Sequence, residues 1–131
     1  MILFVCTGNT CRSPLAAALA RARGYEAESA GLAARQGDAA TPQAVRAAAR
    51  RGADLTAHRA QNVTESLMAR AERVLVMTDA HGEYLRTAYP AWAHKVAVLR
   101  PMIPDPYGGG DGVYELCAQA LLDALDNAGI R

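Results

Sequence analysis

Ile2-Leu3-Phe4-Val5, then Cys6-Thr7-Gly8-Asn9-Thr10-Cys11-Arg12-Ser13-Pro14: four β-favouring apolar residues run into a turn-rich segment and then into an Ala/Leu-rich one. The stretch reads as strand, loop and helix. Backbone N–H groups of such a loop have no helical partners and lie at the positive end of the following helix, so the loop forms a cradle for an anion the size of phosphate. Cys6 ends the strand at the base of that cradle. Arg12, six positions on, brings a guanidinium suited to bidentate contact with an oxyanion. With three Cys and 13 Arg in the chain this spacing arises readily by composition, and its context gives it weight. Gly8 and Asn9 tolerate positive φ, Ser13 stands beside the thiol, and Pro14 suits a first helical turn. The other reading, an inert buried Cys beside a structural Arg, leaves the glycine-containing loop without a purpose.

Outward from this unit the chain alternates strand and helix. From Pro14 the Ala/Leu-rich segment continues as a helix to Arg23 and is stopped by Gly24. Tyr25 to Ala30 alternates apolar and polar residues and ends at Gly31, a short strand, and Gly31 to Ala40 is a loop. Thr41-Pro42 supplies an N-cap and a first-turn proline for a helix through Arg51 to Gly52. Thr64 or Asn62 starts a short helix holding Leu67 and Met68. Val74 to Met77 is an all-apolar run of the kind found in buried parallel strands. Asp79 to Tyr89 is helical until Pro90, and Val96 to Leu99 is the last strand. A Pro/Gly-rich loop, Arg100 to Gly112, precedes a final helix from Val113 to Asn127, with Leu116, Leu121, Leu122 and Leu125 expected on its apolar stripe. Strands alternating with helices imply an α/β fold of three layers, a parallel sheet covered on both faces, with ligands at the carboxyl ends of the strands. The Cys6 loop lies at such an end.

The 131 residues, 51% hydrophobic, suit one domain spanning 1–131 with a core of its own. A net charge of +1 with both signs interspersed gives no reason to expect nucleic acid or an anionic membrane as partner. No segment has the make-up of a signal peptide or membrane span, which places the chain in the cytoplasm. Three Cys, an odd number, argue against a disulfide framework and leave Cys6 free to act as a nucleophile. No His/Asp/Glu spacing resembles a metal site and no Gly-Lys-Ser/Thr marks a nucleotide-binding loop, so neither metal nor other cofactor is expected.

A second constellation stands far along the chain, Pro104-Asp105-Pro106-Tyr107-Gly108-Gly109-Gly110. Two prolines stiffen the carboxylate and the glycines let the backbone turn away, so that Asp105 is presented into a cleft; an ordinary Asx turn is the plainer reading of this loop taken alone. Joined with the Cys6 loop, it supplies a general acid. Cys6 must be a thiolate to attack phosphorus. A free thiol is mostly protonated at neutral pH, and the loop N–H groups, the helix terminus, Arg12 and a hydrogen bond from Ser13 all favour the anion. Cys6 and Cys11 share one loop, so mild oxidation is expected to join them and protect the nucleophile.

Cys-Thr-Gly-Asn-Thr-Cys-Arg-Ser-Pro together with Asp-Pro-Tyr resembles the low-molecular-weight protein tyrosine phosphatase family, and most resembles its bacterial protein arginine phosphatase branch. The resemblance covers nearly the whole chain. It implies a four-stranded parallel sheet in the order 2-1-3-4, a metal-independent reaction through a cysteinyl-phosphate, and a phosphorylated protein as substrate. By the same resemblance Cys6 is the nucleophile, Arg12 the clamp on the phosphoryl oxygens and Asp105 the general acid, with Thr7, Gly8, Asn9, Thr10, Cys11 and Ser13 completing the phosphate-binding loop. Thr56-Ala57-His58-Arg59-Ala60 resembles a family segment whose His, with a Ser matching Ser29, braces the loop Asn; taken alone, His58 reads as a structural histidine. His81 and His94 have no assigned role. The family often carries Glu where Ala18 stands.

Two residues bear on substrate. Tyrosine-directed members of the family usually carry Ile at the position of Thr10, where it lies against the phenyl ring; the arginine-directed branch carries Thr. A phosphoguanidinium is flat and polar, and the Thr10 hydroxyl and the Asp105 carboxylate can bond its N–H groups. Resemblance also implies a second aromatic in tyrosine-directed members within the loop from Leu32 to Ala40, which has none here, so Tyr107 alone is left to stack as a cleft wall, an ordinary loop aromatic being the plainer reading. Phosphoarginine is therefore the expected substrate and phosphotyrosine the alternative. Arsenate reductase shares this scaffold but needs further cysteines, and only Cys11 and Cys117 remain. A non-catalytic module binding phosphorylated side chains would need neither Asp105 nor a nucleophile.

Overall fold

The opening apolar run forms β1 (Ile2–Cys6), the strand from which the fold is laid out in a computed structural model describing residues 1–131. In chain order there follow α1 (Arg12–Ala22), β2 (Ala27–Gly31), α2 (Pro42–Ala49), α3 (Glu65–Arg70), β3 (Arg73–Val76), α4 (Asp79–Ala88), a 3₁₀ segment (Pro90–Lys95), β4 (Val96–Val98) and α5 (Asp111–Asn127). The four strands make one parallel sheet in the order β2-β1-β3-β4. The strand order reverses between β1 and β3, and their carboxyl ends, Cys6 and Val76, lie at the switch point where open α/β sheets bind ligands.

β1 is buried throughout, and the period of two sorts its side chains between two cores. Ile2, Phe4 and Cys6 join Leu75 and Met77 in the larger core, under α1, α2 and α5. Leu3 and Val5 join Val74, Val76 and Val96 in the smaller one, with Leu67 and Met68 of α3 and Leu85 of α4. Threonines open three of the helices. Thr41, Thr64 and Thr78 accept from the N–H groups of Ala44, Leu67 and His81 at 3.3, 3.2 and 3.4 Å, each quenching one of the free donors of a first turn. Of the two expected starts for α3, Thr64 is the cap. Asn62 instead bonds both the N–H and the carbonyl of Ala34. No helix is long and apolar enough to cross a membrane.

Several boundaries differ from the sequence reading. α1 starts at Arg12, not Pro14, so Arg12 and Ser13 ride on its first turn. β2 begins at Ala27 rather than Tyr25, and α5 at Asp111 rather than Val113. Pro90 ends α4 as expected but also opens the 3₁₀ segment, because a proline that cannot continue one helix is well placed in the first turn of the next. The expected stripe of α5 needs correction. Leu116 is 74% exposed, and the buried face is Tyr114, Cys117, Ala118, Leu121, Ala124 and Leu125, a run at spacings of three and four. Leu121 and Leu125 are buried as expected and Leu122 packs partly buried against the core, while Tyr114, Cys117, Ala118 and Ala124 complete the face in place of Leu116.

Candidate active site

β1 delivers Cys6 at its carboxyl end, 3% exposed, and the chain then turns through Thr7 to Cys11 before α1 begins. Each N–H group from Thr7 to Ser13 lacks an acceptor within the protein, so a row of backbone donors rings the sulfur at the positive end of α1. Asn9 makes the turn possible. Its φ is +57°, the one non-glycine residue in the left-handed region; Gly8 does not use the freedom expected of it.

Asn9 is wholly buried and its side chain is bonded at every turn. Its Oδ1 accepts from the Gln61 N–H at 3.0 Å, which fixes which end of the amide is oxygen. The Nδ2 then donates to Ser13 Oγ at 2.8 Å and to Ser29 Oγ at 2.9 Å. The Asn9 carbonyl accepts from His58 Nε2 at 2.7 Å, so that nitrogen carries a proton. Burial, opposed by this bond, lowers the His58 pKa below its ordinary value, with the Arg21 and Arg59 cations adding to the lowering. Ser13 Oγ, an acceptor from Asn9, lies 2.9 Å from Cys6 Sγ and 3.4 Å from the Ala30 carbonyl. The hydroxyl donates to the Ala30 carbonyl while Cys6 is a thiol; a thiolate sulfur can only accept, so in that state the proton turns to Cys6 and the O–H steadies the anion.

Arg12 is 6% exposed, and its Nη1 donates to the carbonyl of Ile103 at 2.9 Å. That bond ties the first turn of α1 to the loop bearing Asp105, whose Oδ2 stands 3.9 Å from Arg12 Nη2. The other oxygen, Oδ1, accepts from the Tyr107 N–H at 3.0 Å. The Asx turn and the cleft-facing carboxylate are thus the same arrangement: one oxygen holds the turn and the second is left for chemistry. Asp105, Tyr107, Thr10 and Arg12 wall a cleft of about 210 Å³ over Cys6, with Tyr107 75% exposed at its mouth. The Cys11 sulfur lies 3.2 Å from the Tyr114 hydroxyl, and the three cysteines are free thiols.

Four contributors escaped the sequence reading. Gly31 pairs with Cys6 in the sheet, and a Cβ on it would lie 2.5 Å from the carbonyl oxygen of Thr7; only glycine lets the cradle come so close. Gln61 gives the N–H that orients Asn9, and Tyr114 holds Cys11. His81 places Nε2 3.0 Å from Thr7 Oγ1. The signal for His81 was its position in a helix that starts from the carboxyl end of β3, beside β1.

A thiol backed by a hydroxyl, a ring of amide donors, one buried guanidinium and an exposed carboxyl can take a phosphoryl group onto sulfur and pass it to water. The family described as low molecular weight phosphotyrosine protein phosphatase matches residues 1–128. A probable low molecular weight protein-tyrosine-phosphatase, EpsP of Ralstonia nicotianae, is 44% identical over 112 residues, 81% of this chain and 77% of its own. A protein-arginine-phosphatase of Geobacillus stearothermophilus is 36% identical over 135 residues, covering 95% of this chain and 90% of its own. The fold superposes with a TM-score of 0.91 on a solved YwlE arginine phosphatase, a cysteine-to-serine mutant with a phosphorylated active site serine, at 33% identity over 97% of this chain and 91% of that one.

Proposed function

The chain belongs to the low molecular weight phosphotyrosine protein phosphatase family, and we propose that it removes phosphate from arginine side chains of proteins through a cysteinyl-phosphate on Cys6. In the first step the thiolate attacks phosphorus in line, the S–P bond forms and the P–N bond breaks, and Asp105 gives its proton to the departing guanidine nitrogen. In the second, the Asp105 carboxylate takes a proton from water, whose oxygen attacks phosphorus and returns the sulfur as thiolate. Arg12 and the amide ring hold the three equatorial oxygens throughout. The phosphorylated active site serine of the arginine phosphatase relative supports a nucleophile at the matching place here. Three free cysteines suit the reducing cytoplasm.

Relatives named for tyrosine and for arginine are similar to this chain at comparable identity, so the choice of substrate rests on Thr10. Its side chain lines the cleft with Asp105 and Tyr107, where a planar phosphoguanidinium finds a hydroxyl and a carboxylate for its N–H groups. A phenyl ring offers them no N–H groups, so Thr10 is left unpaired and Asp105 serves only to protonate the departing phenolate. We expect kcat/KM to favour phosphoarginine over phosphotyrosine peptides, Cys6→Ser to abolish both activities, and Thr10→Ile to move the ratio toward phosphotyrosine by about 1–3 kcal/mol. Preference for phosphotyrosine in the unmodified protein, or a ratio that Thr10→Ile leaves in place, gives the substrate to tyrosine. That second reading is the one favoured by the 44% identity to the Ralstonia relative.

A further inference from the structure

His81 touches the cradle through Thr7, the residue that follows the nucleophile. It sits in the first turn of α4, anchored where its own N–H donates to the capping Thr78 Oγ1. Its ring is packed away, 7% exposed, with Nε2 3.0 Å from Thr7 Oγ1 and a buried Nδ1 that has no partner. The orphaned nitrogen decides the tautomer. A buried N–H without an acceptor is among the rarest features of a folded chain, so the single proton of a neutral ring belongs on Nε2, leaving only a lone pair at Nδ1. Burial keeps the ring neutral by lowering its pKa, and the Arg12 cation adds to the lowering while Asp105 opposes it. Nε2–H then donates to Thr7 Oγ1, and the threonine hydroxyl keeps its own proton for another acceptor. Thr7 lines the cleft over Cys6, where the arriving acceptor is a phosphoryl oxygen.

We infer that His81 is a positioning residue of this phosphatase: by donating from Nε2 to the Thr7 hydroxyl it aims that hydroxyl's proton at the phosphoryl group, adding a side-chain donor to the backbone ring. This rests on the phosphatase reading of the site and deepens it. A free hydroxyl would have to be oriented at each turnover; one held by a buried ring is oriented in advance.

The test is a cycle of variants read by kcat/KM on a phosphorylated peptide and by competitive inhibition with inorganic phosphate. His81→Phe and Thr7→Val are each expected to lower kcat/KM about tenfold to a hundredfold, the effect of losing one hydrogen bond to a charged group, and to weaken phosphate in parallel. The double variant should be no worse than Thr7→Val alone. His81→Gln, whose Nε2 can still donate, should recover most of the loss, and a purely structural histidine would not be rescued in this way. Multiplying losses in the double variant, full activity in Thr7→Val, or no rescue by glutamine overturns the inference while the unmodified enzyme stays active. Should His81→Phe not fold, Thr7→Val, on an exposed loop residue, and His81→Gln still decide it. An unmodified protein that releases no phosphate defeats the phosphatase reading itself.

Discussion

At the scale of single residues, the chemistry hangs on the direction of one amide. Because the Gln61 N–H can only donate, Asn9 must turn Oδ1 toward it and Nδ2 toward Ser13, and Ser13, already an acceptor, has one proton to share between the Ala30 carbonyl and a Cys6 thiolate. A backbone donor remote in sequence thereby orders the hydrogen bonds that reach the proposed nucleophile. Ser13→Ala removes the last link without touching the amide ring. Hydrogen bonds to charged groups contribute about 1.5–3 kcal/mol, so kcat/KM is expected to fall about tenfold to a hundredfold, with slower alkylation of Cys6 at pH 7. Alkylation at the unmodified rate would show that the serine proton goes to the Ala30 carbonyl instead, 3.4 Å away.

At the scale of elements, β2 and β1 are brought together closely enough that Gly31 cannot carry a side chain. The Thr7 carbonyl would be 2.5 Å from its Cβ and the Asn9 Cβ 3.2 Å, and neither belongs to a flexible side chain that could swing aside. Gly31→Ala should therefore push the cradle away from β2, costing about 1–3 kcal/mol of stability and a larger share of activity. A variant with lower melting temperature and unchanged kcat/KM would mean that the strand moves and the cradle does not. This requirement was invisible in the sequence, where Gly31 reads only as the end of a strand. What was legible was local: an apolar run into a glycine-containing loop, threonine caps, a period of two that sorts Phe4 from Val5. Residue type alone puts Leu116 in the core, whereas α5 buries alanine, cysteine and tyrosine beside Leu121 and Leu125 at the right spacing and leaves Leu116 in solvent. The contacts of Ser29, His58, Gln61 and His81 with the loop join residues 20 to 74 positions apart, and no local pattern announces them. Ser29 and His58 were reached only through family resemblance.

At the scale of the whole molecule, two histidines hold the cradle and both are kept neutral. Burial lowers the pKa of His58 and of His81 below the ordinary 6.5, so below that pH the unfolded chain binds protons that the folded one refuses. Their contribution to stability is complete above about pH 6.5 and declines as pH falls toward the folded values. Charges facing them do not reverse this: Arg21 and Arg59 beside His58 oppose a further cation, and beside His81 the pull of Asp105 is outweighed by burial and Arg12. The carboxylates Asp54, Asp111 and Glu115, held low by bonds to Thr56, Arg46 and Arg51, begin to matter only below about pH 4.5. On the alkaline side the sign reverses. Burial pushes the Tyr114 phenol and the Cys117 thiol up to about 12, so above about pH 9 the unfolded chain releases protons that the folded one keeps, and stability again declines. The melting temperature is expected to be flat between about pH 6.5 and 9 and to fall on both sides. His58→Gln keeps a donor for the Asn9 carbonyl but cannot titrate, so its melting temperature should approach that of the unmodified protein as pH drops from 7 to 5. A gap between the two that stays constant over that range, or a melting temperature as high at pH 5 as at pH 7, would mean that the imidazole accepts its proton inside the fold, and that the bond to Asn9 survives a charged ring.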